Sequence, residues 1–325
     1  MRPIFRILPL LSFCLILPTA HAVAADNYPA KPIRLVVPFP PGGPADSLAR
    51  VVGEKIGASM GKPIVVDNRP GAGGNIGMEV GAKAAPDGYT LVLAPAGNLT
   101  VNPSLYHSVP YDVGRDFAPV TVLATVPNIL VVHPSVPAKT VTELVHYAKA
   151  HPGELNFSSP GNGSGAHLAG ELFKSLAAID IAHIPFNGIA PAVTAVVGGQ
   201  VQLMFAGAPS VLQHVKSGRL NALGVASLKR IAAAPDLPTL SESGFPGFDV
   251  TSWYGIVAPA GTPNDVITRL HNEMTKALNE PDVREKLAGL GAEPVGNTPA
   301  EFAAMIKSET AKWSRIVKDA KITAE

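Results

Sequence analysis

Cysteine is all but missing: one stands among the 325 residues, Cys14. It lies in an apolar amino-terminal run, where Phe13 occupies the place of the small residue a lipidation site needs. The rest of the chain therefore has no disulfide and no thiol nucleophile, and core packing alone must hold it. Charge is also sparse, at 16% of residues. Without Arg2 and Arg6, which belong to a leader, 24 basic residues face 25 acidic ones. No basic excess points to nucleic acid or to a membrane surface. The nine histidines show no metal-binding spacing, neither HExxH nor a pair at i and i+4. No two carboxylates are set out for acid–base work. No catalytic group, metal or cofactor is expected.

Residues 1–24 read as a secretory leader. Arg2 and Arg6 supply the positive start, Leu8 to Leu17 the apolar segment, and Ala20-His21-Ala22 or Ala22-Val23-Ala24 the cleavage site. The apolar segment is too short to span a bilayer, and no later run is long and apolar enough for a transmembrane helix. The exported remainder is 46% hydrophobic by overall composition and long enough for two domains.

One stretch organises the remainder. Ile33 to Phe39 is an apolar run with the look of a buried strand, Pro40 to Pro44 breaks it, and Leu48, Val51, Val52 and Ile56 follow at helical spacing. A strand, a Pro/Gly turn and a helix start in that order place Gly42 and Gly43 where backbone N–H groups lie open. The first amides of a helix lack intrahelical partners and sit at its positive end, which suits an anion. The same grammar recurs. Tyr89–Ala94 leads to Gly97 and Asn98, Leu155–Ser159 to Asn162, Gly163, Ser164 and a helix from His167, Ile181–Pro185 to Phe186 and Asn187, and Val201–Phe205 to Ala206. Repeated strand–turn–helix units predict α/β architecture with mainly parallel sheets and a ligand site beyond the carboxyl ends of the strands. Ser158, Ser159 and Ser164 can each donate a hydrogen bond to a carboxylate. Ser164 equally suits the N-cap of the helix that follows, and Asn98 can bond its own backbone instead.

Two sharper readings fail on spacing. The loop Asn68 to Asn75 is glycine-rich, but Ile76 stands where a dinucleotide fingerprint needs its third glycine. Ser164 lacks the flanking glycines of a nucleophile elbow, with Asn162 and Ala166 in their places. His167 shares its local helix, and no acid is placed to orient it. The strand-rich passage Val120 to Val132 reads as a crossing between domains and Val250 to Val257 as the return. The predicted division is 25–131 plus 252–325 for one lobe and 132–251 for the other.

The chain also resembles the tripartite tricarboxylate transporter receptors, or Bug proteins. The matching segments run from Tyr28-Pro-Ala-Lys-Pro-Ile33 and Val37 to Asp46, through Asn68 to Asn75 and Ala85 to Thr90, to Gly161-Asn-Gly-Ser164, His167-Leu-Ala-Gly170 and Ser252-Trp-Tyr-Gly255. The resemblance implies a periplasmic receptor of the type II-like two-lobed binding-protein fold, closing about a hinge on a small organic carboxylate. It further implies a two-component membrane permease as partner; apart from the resemblance, a binding protein that presents its closed form to a sensor kinase is an alternative. In such receptors the loops matching Phe39–Asp46 and Ser158–Ser164 grip the carboxylate. The expected arrangement has Gly42 and Gly43 N–H groups on the ligand, the three serines reaching it from the other lobe, Phe39 and Phe186 as apolar walls, and Asp46 tying its loop. Two positions depart from a common pattern. Pro41 stands where relatives often have glycine, and Ala206 where many carry an aspartate suited to a ligand ammonium. The resemblance therefore implies a ligand without an amino group.

Overall fold

A computed structural model describes residues 28–319 and Ile322; the expected leader and Cys14 lie outside them. The chain opens with β1 (Ile33–Val37), α1 (Pro44–Met60), β2 (Ile64–Asn68), α2 (Asn75–Ala82), β3 (Thr90–Pro95) and the short helices α3 (Ala96–Thr100), α4 (Asn102–Leu105) and α5 (Val113–Asp116). Next come β4 (Phe117–Val126), β5 (Asn128–Val132), α6 (Val141–Ala150), β6 (Asn156–Ser159), α7 (Gly165–Ala177), β7 (Ala182–Pro185), α8 (Ile189–Val197), β8 (Leu203–Gly207), α9 (Ala208–Lys216) and β9 (Asn221–Val225). The last elements are β10 (Ser252–Pro259), α10 (Asn264–Asn279), α11 (Pro281–Gly289), β11 (Glu293–Pro294) and α12 (Pro299–Asp319).

Local chemistry sets these boundaries. Pro44 opens α1 without leaving an amide to satisfy, and Leu48, Val52 and Ile56 repeat along its buried face until Gly61 ends it in the left-handed region. Thr140 caps α6 through the Glu143 amide. Thr298 caps α12 through the Glu301 amide, while the Glu301 carboxylate accepts from the Thr298 N–H, a complete capping box. On α7 the buried face carries His167, Leu168 and Phe173 among small residues, with Leu176 turned to solvent. The leucine spacing alone would have placed Leu176 inside.

The strands form two sheets, in the orders β11-β4-β10-β3-β1-β2 and β7-β6-β8-β5-β9. Each contains a parallel α/β part, β2-β1-β3 in the first and β7-β6-β8 in the second. The strands that carry the chain between sheets, β4, β10 and β5, pair antiparallel, so both sheets are mixed. The first change of sheet falls at Pro127, not after residue 131. Pro127 has no N–H for a ladder, and Asn128–Val132 pairs wholly within the second sheet. The return runs into β10, whose Ser252 pairs with Val126.

The lobes are not separately cored. The second lobe's core around Phe157, Phe173, Phe205 and Phe248 also takes in Val101 and Leu105 from the α3–α4 region and Trp313, Val317 and Ile322 from the end of the chain. The start of α12 packs on the first lobe instead, where Phe302 meets Trp253 edge-on at 5.6 Å. Thus α12 straps both lobes across the hinge, and the final segment is not confined to the first. Phe302 is fully buried. Phe302→Ala should cost about 3–5 kcal/mol in urea unfolding; a loss below about 1 kcal/mol would show that the strap carries little of the fold.

Candidate functional site

The site is built from strand ends and helix starts. Four helices of nine residues or more begin where the lobes meet: α1, α7, α8 and α9, with N-caps Gly43, Ser164, Gly188 and Gly207. All four N-caps line one cavity of about 190 Å³ between the lobes. The lobes are closed around it. Pro40 faces Gly188 and Gly43 faces Ile189 across one side. On the other side Gly97 lies against the Gly163 carbonyl so tightly that any Cβ there would collide with it.

Among the described residues, no Asp, Glu, Lys, Arg or His lines this cavity. Its walls are Phe39, Val126, Ile189, Trp253 and several prolines, and its polar groups are backbone amides, asparagines and hydroxyls. Amides in the first turn of each helix have no partner in their own helix, and the helix dipole adds positive potential there. The chemistry on offer is therefore hydrogen-bond donation to an anion, with no group placed for nucleophilic or acid–base catalysis.

Of the residues singled out from the sequence, Phe39, Pro41, Gly42, Gly43, Gly97, Asn98, Gly163, Ser164, Asn187 and Ala206 line the cavity. Ser164 serves as N-cap, its Oγ accepting from the His167 amide at 3.3 Å, and it also lines the cavity. Gly42 stands at φ 85°, the left-handed region that favours glycine. Its N–H does not face a ligand as expected, because it donates to Asp46 Oδ2 at 3.0 Å. Asp46 does tie the loop. Burial alone would raise its pKa, but hydrogen bonds from Arg50, Gly42 and Asn68 outweigh that and hold the carboxyl below its usual range. Asn68 also donates to the Phe39 carbonyl, so one buried carboxylate fixes the whole turn.

Five other expectations are corrected. Ser158 and Ser159 close β6, but neither lines the cavity, and their hydroxyls are engaged within the second lobe. Ser158 Oγ donates to the Ala192 carbonyl, and Ser159 Oγ bonds His183 Nε2 at 2.7 Å and the Gly161 backbone. Phe186 does not line the cavity; half-buried, it packs against the second-lobe cluster that α8 and α9 help form, with its amide on the Ser159 carbonyl. Asn162 presents its carbonyl to Gly73 of the other lobe and does not line the cavity. His167 is buried under the loop, where its Nδ1 accepts the Gly163 amide at 3.1 Å and its ring stacks on His183. That amide is thus turned away from the cavity.

Sequence reasoning passed over Asn128, Ser252 and Tyr254, and for Trp253 it left a cleft role open beside a core one; all four line the cavity. They come from the two crossings, β5 and β10, where no glycine turn advertises a site. The one signal was the Ser252–Gly255 segment among the family-like motifs.

The whole chain bears these features out as those of a two-lobed solute-binding protein. Residues 48–322 match the family described as tripartite tricarboxylate transporter family receptor, and the chain belongs to it. It is 41% identical to the protein BugT of Bordetella pertussis over 301 residues, 92% of each chain. Among solved structures it resembles Rpa4515 of R. palustris with adipate, at 35% identity and TM-score 0.87 over 91% of this chain and 99% of that one. It also resembles MatC of Rhodopseudomonas palustris with bound malate, at 33% identity and TM-score 0.83 over 89% of this chain and all of that one. The family is one of periplasmic solute-binding receptors, not enzymes. No helix among the described residues is long and apolar enough to cross a membrane.

The buried histidines give a pH prediction. Burial, joined for His167 by the neighbouring His183 and for His183 by the Lys174 ammonium, pushes the two imidazoles down to about 3 and about 4. The unfolded chain, with histidines near 6.5, binds these protons first as pH falls. Their contribution to stability is therefore complete above about pH 6.5 and is lost as pH drops toward 4. The unfolding midpoint should fall over that window, and less steeply in His183→Asn; equal slopes would place the acid sensitivity elsewhere.

Proposed function

We propose that this protein captures a small carboxylate lacking an ammonium group in its interlobe cavity and presents it, lobes closed, to a two-part membrane permease. The observation that carries the reading is a cavity faced by four helix starts and by no ionised side chain. A carboxylate there exchanges water for amide and hydroxyl donors in dry surroundings, where such bonds are strong. An ammonium would meet apolar walls and Ala206, with no counter-charge to offset its desolvation. The adipate and malate held by the two R. palustris relatives are carboxylates of the same kind. Donors come from both lobes, so ligand contacts are complete only in the closed state and stabilise it. Export through the 1–24 leader places the receptor in the periplasm, on the permease's side of the membrane.

Thermal unfolding against a panel of acids and their amides tests the reading. An acid at 100 times its dissociation constant should add about 2.7 kcal/mol and shift the midpoint visibly, while its amide and its α-amino analogue shift it little. Equal shifts by acid and amide would remove the anion from the account. Equal affinity for the amino analogue would remove the argument from Ala206.

A further inference from the structure

The closed lobes also meet beside the ligand cavity. Asn102, at the start of α4 in the first lobe, is 1% exposed and lies against Gly163 of the second. Its Nδ2 donates to Asn75 Oδ1 at 2.7 Å and to the Gly73 carbonyl at 3.3 Å. Both partners are carbonyl oxygens, which only accept, so they fix which way round the Asn102 amide stands. Its Oδ1 is turned to Gly163, where any Cβ would collide with it.

That oxygen is sealed from solvent and has no hydrogen-bond partner among the described residues. Gly163 gives it no N–H, because that amide donates to His167 Nδ1. The Gly163 Cα that covers it is a weak substitute for water. The contacts on either side are apolar. Val101 and Leu105 flank Asn102 along the first lobe, yet both pack into the second lobe's core, and Leu105 also borders Gly163. Burying these side chains favours closure whether or not a solute is present. The sealed oxygen between them acts the other way.

We infer that Asn102 is a built-in brake on closure of the empty receptor. Parting the lobes takes Gly163 off Oδ1 and lets water hydrogen-bond it. Closing strips that water and returns no donor. The penalty falls on every closed molecule, loaded or empty, and only a bound solute adds contacts that offset it. Without the brake, the apolar contacts of Val101 and Leu105 would hold empty lobes shut. An empty receptor would then look the same as a loaded one to any partner that reads closure. The inference rests on closure of the two lobes and concerns the ligand-free protein, so it does not depend on which solute binds.

Spin-label distance measurements by pulsed electron paramagnetic resonance decide it, on protein freed of solute by unfolding and refolding. Residues 28–325 contain no cysteine. Val65→Cys and Leu176→Cys, both exposed and one on each lobe, therefore take the labels without background. The labelled parent should be mostly open. Asn102→Leu removes the oxygen and strands no other acceptor, since Asn75 Oδ1 keeps the Tyr111 hydroxyl and the Gly73 carbonyl keeps Asn98 Nδ2. It should raise the closed-to-open ratio by about five- to a hundredfold, the worth of one buried unpaired acceptor. Asn102→Ala, too small to crowd Gly163, should raise it as well and carries the test should Asn102→Leu not fold; thermal melting checks both. A parent already closed without solute would overturn the inference. So would a closed-to-open ratio that the folded variants leave unchanged or lower. No solute is present, so failure of the carboxylate reading would leave these outcomes as they are.

Discussion

The constraint on which the rest of the structure depends is that helix-start amides from two lobes share one dry space without any formal charge to accompany them. Each such amide needs an acceptor; Ser164 caps one of them, the His167 amide, while among the described residues the N-caps of α1, α8 and α9 offer no side-chain acceptor. That single deficit explains why the strands end in glycine and proline turns, why the walls are apolar, and why the lobes close on each other. An arginine or lysine in the cavity would bind an anion more simply, but it would bring its own desolvation cost and its own demand for a partner. Oriented backbone dipoles need no such reorganisation when the ligand arrives.

The same logic keeps charge near the site but out of it. Asp46 is buried beside the cavity, yet every hydrogen bond it accepts, from Gly42, Arg50 and Asn68, serves the turn that holds Phe39 and Gly43 in place. His167 plays the matching part in the second lobe, fixing the Gly163 amide from below as a neutral ring. Two ionisable residues therefore shape the loops that face the ligand without lending it their charge. The lobes themselves are coupled by more than the two crossing strands. Because α12 packs Phe302 on the first lobe and Trp313 on the second, closure must work against, or along with, a helix that spans the hinge.

Much of this was legible in the sequence because it is local. The turn from Phe39 to Pro44, the caps at Thr140, Ser164 and Thr298, and the proline-opened helices are each written within a few residues. What was missed is non-local. Ser158 and Ser159 looked available because strand ends usually face a cleft; only the packing of α8 and His183 on β6 shows that their hydroxyls are engaged. Phe186 looked like a wall, but it packs, half-buried, against the second-lobe cluster of α8 and α9. The reverse error hid Tyr254 and Asn128, whose strands carry no loop signature and reach the cavity through the crossing topology. The sheet change at Pro127 was readable from proline chemistry, yet the strand-like, largely apolar passage from Val120 to Val132 masked it.

The measurement that tests the central claim most directly is amide hydrogen exchange at single-residue resolution, with and without the best-binding acid. The account predicts added protection at Gly43 and Ala45 in the first lobe together with Gly165, Ala166 and Ile189 in the second. Protection confined to one lobe, or absent from these helix starts while the acid is bound, would contradict it.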